Sequence, residues 1–184
     1  MKTHSIAHPS VASTLSQGGL AVLRTDTIYG IVARAHDPEA VRRLYDAKHR
    51  NPEKSCIILV SDASDIPGLS EAHLAKYLEL HSQRPTTLVV PVEDIFFPHL
   101  VKPHGTLAFR LITRGELHTL IQDTGPLLAP SANLEGMPPA ASIDQAIDYF
   151  GDRVQMYVDG GTVKHAQPSR IMALEAGQLK VLRK

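Results

Sequence analysis

The chain has 184 residues, 19 basic and 19 acidic side chains, a formal net charge of zero and one cysteine. That length suits a single domain with a real core. Neutrality disfavours a nonspecific grip on nucleic acid, and a lone thiol excludes a disulfide framework. No apolar run approaches the roughly 20 residues that span a bilayer, and the opening MKTHSIAHPS has no signal-like apolar stretch. A cytoplasmic protein with no membrane partner is therefore expected.

In chain order, the N-terminus is expected to fray ahead of a helix over about residues 9–17, which Gly18-Gly19 end. Leu20-Ala21-Val22-Leu23 and residues 28–35 have the apolar content of two buried strands. The small polar Arg24-Thr25-Asp26-Thr27 suits a turn between them. Asp37-Pro38-Glu39 is a helix start, with an Asp cap, Pro in the first position and an acid in the first turn. That helix should run to about Lys48. Cys56-Ile57-Ile58-Leu59-Val60 is a third strand, with Cys56 a buried structural thiol. A helix over 71–81 should turn Leu74, Leu78 and Tyr77 inward.

Strands are expected near Thr86–Pro91 and Thr106–Leu111, then a helix over about 114–122 and a short strand over 126–129. Ser142 caps a helix whose Ile143, Ala146, Ile147 and Phe150 share one face. Strands over about 155–158, 169–173 and Gln178–Arg183 close the chain. Helices alternate with strands, but the segments at 20–35 look like a hairpin. The fold class expected is α/β of the mixed α+β kind, a twisted parallel and antiparallel sheet flanked by helices, as one domain over 1–184.

Several chemistries have no sequence support. The chain lacks G-x-x-x-x-G-K-[ST] and G-x-G-x-x-G, so neither a P-loop nor a Rossmann dinucleotide site is indicated. It lacks H-E-x-x-H and any Cys/His quartet, and its ten histidines are scattered. No G-x-S-x-G elbow is present. No protein metal ligands are expected.

Charge is nevertheless uneven. Residues 1–60 carry +3, residues 61–163 carry −7 and residues 164–184 carry +4. The two chain ends could therefore build a local basic site for an anionic small molecule. Polar clusters where strands end mark its candidates. Thr25-Asp26-Thr27-Ile28-Tyr29-Gly30 is a hairpin turn as readily as a ligand loop. Lys48-His49-Arg50-Asn51-Pro52-Glu53-Lys54 could neutralise a triphosphate or be a solvated basic loop at a helix C-terminus. Ser131-Ala132-Asn133, after an apolar strand, offers hydroxyl and amide groups for phosphate or ribose oxygens. Arg110 and Arg183 lie within strands, where an arginine needs solvent, an acid or an anion.

Taken together and in order, these segments resemble the threonylcarbamoyl-AMP synthase family, the YrdC-like domain. The resemblance rests on Gly18-Gly19, Thr25-Asp26-Thr27-Ile28-Tyr29-Gly30, Lys48-His49-Arg50, a strand ending in Arg110, Ser131-Ala132-Asn133, Asp159-Gly160-Gly161, Ser169 and Arg183. It implies a YrdC-like fold around a concave basic cleft in a minimal, single-domain enzyme. The implied reaction makes threonylcarbamoyl-AMP and pyrophosphate from L-threonine, bicarbonate and ATP. That product supplies a downstream threonylcarbamoyl transferase complex that modifies a tRNA base.

By the same resemblance, Lys48, Arg50, Ser131 and Asn133 form a catalytic tetrad around the phosphates. Arg50, Lys54, Thr106, Ser131, Pro139 and Arg183 would contact ATP. Thr27, Tyr29, Arg110, Ala129 and Ser169 would surround threonine. Mg2+ would arrive with ATP. The chain departs from the family pattern at Arg24, at Ser82-Gln83-Arg84-Pro85, after Arg110 and at Ser169-Arg170. The added Arg24, Arg84 and Arg170 raise one alternative, a paralogue that binds RNA (weak tRNA binding) or edits the modification. A non-catalytic scaffold of a tRNA-modifying assembly is a separate alternative.

Overall fold

The computed structural model describes residues 1–164 and 169–183. Among them the chain forms strands β1 (Lys2–Thr3), β2 (Ala21–Arg24), β3 (Tyr29–Arg34), β4 (Ile57–Val60), β5 (Thr86–Pro91), β6 (Thr106–Leu111), β7 (Leu127–Leu128), β8 (Met156–Val158), β9 (Arg170–Glu175) and β10 (Gln178–Arg183). The helices are α1 (Pro9–Ser16), α2 (Pro38–Lys48), α3 (Glu71–Gln83), α4 (Glu116–Thr124) and α5 (Ile143–Phe150).

Helix starts follow local chemistry. The Asp37 carboxylate accepts hydrogen bonds from the Glu39 and Ala40 amides, both at 3.0 Å. Ser70 and Ser142 cap α3 and α5 in the same manner. Each such cap stabilises its helix by about 1 kcal/mol. After α1 the chain turns at Gly18, where φ is +75° and a Cβ would lie 2.7 Å from the Arg43 guanidinium. Only glycine fits there without strain.

The strands form one ten-stranded sheet in the order β1-β8-β2-β3-β7-β4-β6-β5-β9-β10. β2 and β3 are an antiparallel hairpin, β4 and β6 are parallel, and β9 joins β5 in parallel. The mixed sheet and the hairpin at 20–35 agree with expectation.

Two apolar layers cover the sheet because side chains alternate between faces. Val22, Ile31, Ile58 and Leu128 pack with Leu44 of α2, Tyr77 of α3 and Ala146 of α5. Their neighbours Leu23, Val32, Leu59 and Leu127 pack with Val11 and Leu15 of α1 and with Leu120 and Ile121 of α4. Strands β5 and β6 contribute Leu88, Val90, Leu107 and Phe109 to the first layer only. The intervening positions, Thr87 and Arg110, lie on the opposite face, which α1 and α4 do not fill with apolar side chains. Polar groups collect on that face.

Three local expectations are corrected. Leu78 is exposed, whereas Tyr77 is fully buried. The Tyr77 hydroxyl donates to Thr86 O and accepts from Leu111 N, which pins α3 to both strands. The fourth helix starts at Glu116, after Gly115 at φ +84°. The N-terminus pairs as β1 with β8, and Lys2 holds Asp144 and Asp159, each at 3.2 Å.

Candidate active site

A cavity of about 350 Å³ opens beside the polar face of β6. The β2–β3 turn contributes Thr25, Thr27 and Ile28, and β6 contributes Arg110. Arg50, Ser55 and Cys56 come from the segment after α2, and Ala129, Ser131 and Pro139 from the segment after β7. Ser169 and Arg183 complete it from the far edge of the sheet. Among the described lining residues there are three arginines and no carboxylate.

Arg110 is the most constrained of these cations, at 3% exposure. One terminal nitrogen pairs with Asp26 Oδ1 at 3.2 Å, and the other donates to Thr27 Oγ1 at 3.3 Å. Among the described residues its Nε has no hydrogen-bond partner. Burial pushes the guanidinium pKa down, and the Asp26 carboxylate opposes that shift. Ser169 is also buried and shares a 2.8 Å hydrogen bond with the Thr87 hydroxyl. Its carbonyl accepts from Arg183 Nη2 at 2.9 Å and Nε at 3.3 Å.

Arg50 is held differently. It donates to the carbonyls of Ser55 (2.7 Å) and Lys54 (3.3 Å) and lies over the Tyr45 ring. The Ser131 hydroxyl donates to Asn133 Oδ1 at 2.5 Å, and Asn133 Nδ2 donates to Leu134 O and Met137 O. Lys48 lies behind these groups, at 1% exposure. Its ammonium donates to the carbonyls of Ser131 and Asn133, both at 2.5 Å. Burial, reinforced by the Arg50 charge, lowers its pKa to about 8. Lys48 therefore shapes the Ser131–Asn133 turn through main-chain carbonyls.

The chain as a whole is similar to known proteins. Residues 13–184 match the Sua5/YciO/YrdC family model, which is described as Telomere recombination. The chain belongs to the Sua5/YciO/YrdC family. It is 31% identical over 188 residues to a threonylcarbamoyl-AMP synthase of Moraxella catarrhalis, covering 92% of each chain. It is likewise 31% identical to a putative threonylcarbamoyl-AMP synthase of Mycobacterium tuberculosis, over 95% of this chain and 82% of the relative. The structure of Pyrococcus abyssi Sua5 complexed with L-threonine superposes with a TM-score of 0.79 at 25% identity. All of this chain is covered there, but only 56% of that one, so the chain spans just over half the length of that relative. Escherichia coli YciO shares the fold, with a TM-score of 0.80 at 16% identity.

Within this Sua5/YciO/YrdC domain, Thr27, Arg50, Arg110, Ala129, Ser131, Pro139, Ser169 and Arg183 share one cavity. Lys48 and Asn133 support its wall. Three other expected residues lie off the lining. The Tyr29 side chain is fully buried, donating to Gly161 O at 2.8 Å and accepting from Gly160 N at 2.9 Å. It ties the hairpin to Asp159-Gly160-Gly161. Thr106 donates to Pro103 O, and Lys54 pairs with Glu135.

Sequence reasoning missed Asp26 and Thr87 as the partners of Arg110 and Ser169. A carboxylate beside a buried arginine was the available signal for Asp26; for Thr87 it was a hydroxyl on the same strand face as its neighbours' polar groups. Glu135 carried no signal at all. Two of the unusual arginines serve the backbone. Arg24 donates to Gly160 O at 3.1 Å, and a Cβ on Gly160 would come within 2.8 Å of Arg24 Cβ. Arg170 donates to Leu80 O. Arg84 lines a second cavity, with His81, Arg114 and Asp26.

Cys56 is buried, and burial pushes its thiol pKa up. Among the described residues no group of three His, Cys, Asp or Glu could hold a metal ion, and no helix is long and apolar enough to cross a membrane.

Proposed function

We propose that the protein is an L-threonylcarbamoyladenylate synthase, a nucleotidyltransferase that forms threonylcarbamoyl-AMP and pyrophosphate. The observation that carries this reading is the single cavity in which Arg110 and Ser169 meet Arg50 and Ser131. A buried arginine suits one carboxylate, and an exposed cationic loop suits a polyphosphate. Relatives named threonylcarbamoyl-AMP synthase over most of their length support the same reaction.

In this reading the threonine amine takes up bicarbonate-derived CO2 to give a carbamate. A carbamate oxygen then bonds to the α-phosphorus of ATP while the bond to the bridging oxygen breaks, and pyrophosphate leaves. No protein nucleophile is required, because such displacement depends mainly on positioning and charge neutralisation. Arg110 and Thr27 would hold the amino-acid carboxylate. Arg50 would face the phosphates, and Ser131 would donate to an oxygen that becomes more negative as the reaction proceeds. Lys48 would act indirectly, by fixing the Ser131 turn. Thr106, Lys54, Pro139 and Arg183 would complete the nucleotide side. Mg2+ would enter as part of MgATP.

The adenylate would pass to a downstream threonylcarbamoyl transferase complex acting on tRNA in the cytoplasm. The test incubates the protein with ATP, L-threonine and labelled bicarbonate. Labelled adenylate and pyrophosphate should form together, and both should require threonine. Absence of both products ends this reading, and threonine-independent tRNA binding at physiological salt would favour an RNA-binding paralogue.

A further inference from the structure

The lysine expected to meet the nucleotide is occupied. Lys54 Nζ forms an ion pair with Glu135 Oε1. The other carboxylate oxygen of Glu135 accepts from the Asn51 amide at 2.7 Å, and the Glu135 amide donates to Lys48 O at 3.0 Å. One residue of the Ser131 segment therefore ties down the whole 48–54 segment by three contacts. Lys54 and Asn51 also hold the Glu135 carboxyl below its usual pKa.

These ties differ in permanence. The main chain of Lys54 is fixed, because its carbonyl accepts from the Tyr45 hydroxyl at 2.8 Å and from Arg50 Nε. Its side chain is 55% exposed, against 31% for Glu135. An exposed ion pair is weak and exchanges easily. A triphosphate carries more charge than one carboxylate, so it competes with Glu135 for the ammonium.

Resting on the ATP reading above, we propose that Glu135 is a positioning residue with two opposed effects. Its acceptor oxygen organises the Arg50 loop for the nucleotide. Its charge holds Lys54 aside and weakens triphosphate binding until phosphate oxygens displace it.

Glutamine and alanine separate the two effects. Glu135→Gln keeps an oxygen for the Asn51 amide but removes the charge; Glu135→Ala removes both. Binding of ATP and of inorganic pyrophosphate is measured by calorimetry, beside the KM values for ATP and L-threonine. Glu135→Gln should tighten both anions and lower the ATP KM by about two- to fivefold, as expected for an exposed pair. Glu135→Ala should bind them more weakly than Glu135→Gln, and the threonine KM should stay level in both. In a Lys54→Met background, Glu135→Gln should have no effect. Unchanged or weaker anion binding by Glu135→Gln, or equal tightening without Lys54, overturns the proposal. A wild-type protein that binds neither ATP nor pyrophosphate would instead overturn the ATP reading itself.

Discussion

Two groups of cations serve one cavity and are held in opposite ways. Arg110 is buried in the sheet, paired with Asp26 and Thr27. Arg50 is half-buried on a loop, attached to main-chain carbonyls, with Lys54 exposed beside it. A charge fixed in the interior is costly and specific, and one at the rim is cheap and adaptable. The buried group should therefore select a small carboxylate, and the rim should control affinity for a flexible polyanion.

The largest expected effect tests the buried half. Arg110→Leu should lower threonine-dependent kcat/KM on the order of a hundredfold or more, as expected for losing one member of a desolvated charge pair. ATP binding should change by less than about threefold, because Arg50 and the Ser131 turn do not contact Arg110 in any hydrogen bond. Pyrophosphate release against threonine concentration and calorimetry with ATP measure the two. Equal losses for both ligands would break the division. Arg50→Ala is the reciprocal change. It should raise the ATP KM roughly tenfold to a hundredfold, the range for a hydrogen bond to a charged group, and leave the threonine KM within about threefold.

The sequence disclosed these halves unequally, for physical reasons. Strand alternation and helix caps are local, so β5, β6, β10 and the Asp37 and Ser142 starts could be placed almost to the residue. Arg110 stood out because an arginine inside an apolar strand needs a partner, yet that partner, Asp26, lies far away in sequence. Tyr29 shares a motif with Thr27, but Thr27 lies in the turn that lines the cavity, whereas Tyr29 opens β3 on the face of the first apolar layer, where its ring is buried. Side-chain direction decided the role there, not motif membership. Lys48 was legible as a cation, but its engagement with carbonyls depends on a turn that only the tertiary fold brings near. Glu135 looked like any loop acid until the fold set it against Lys54.

Lys48 sharpens the comparison, because it is a buried cation on the rim side. Its pKa of about 8 lies below the ordinary lysine value of 10.5. The folded state therefore sheds this proton before the unfolded chain does. Below pH 8 both states are protonated, and the burial penalty on the charge is fully present. Between about pH 8 and 10.5 the unfolded chain binds more protons, so the stability contributed at this position rises with pH. Urea unfolding of wild type and Lys48→Met at pH 7, 8.5 and 10 should show the difference moving in favour of wild type at higher pH. A difference independent of pH would mean that Lys48 titrates alike in both states.

The smallest effect separates affinity from stability inside the buried half. Ser169→Ala deletes the partner of the buried Thr87 hydroxyl and leaves the carbonyl that holds Arg183. An unsatisfied buried hydroxyl costs roughly 1–3 kcal/mol, so the unfolding midpoint should fall. The threonine KM should rise by about three- to tenfold, with the ATP KM unmoved, the factor for roughly one neutral hydrogen bond. Replacing both partners, Thr87→Val with Ser169→Ala, leaves no orphan and should recover most of the lost stability. The threonine KM should not recover with it, because the hydroxyl facing the cavity is still gone. If stability and KM return together, Ser169 acts only through packing, and the selectivity of the buried half rests on Arg110 and Thr27 alone.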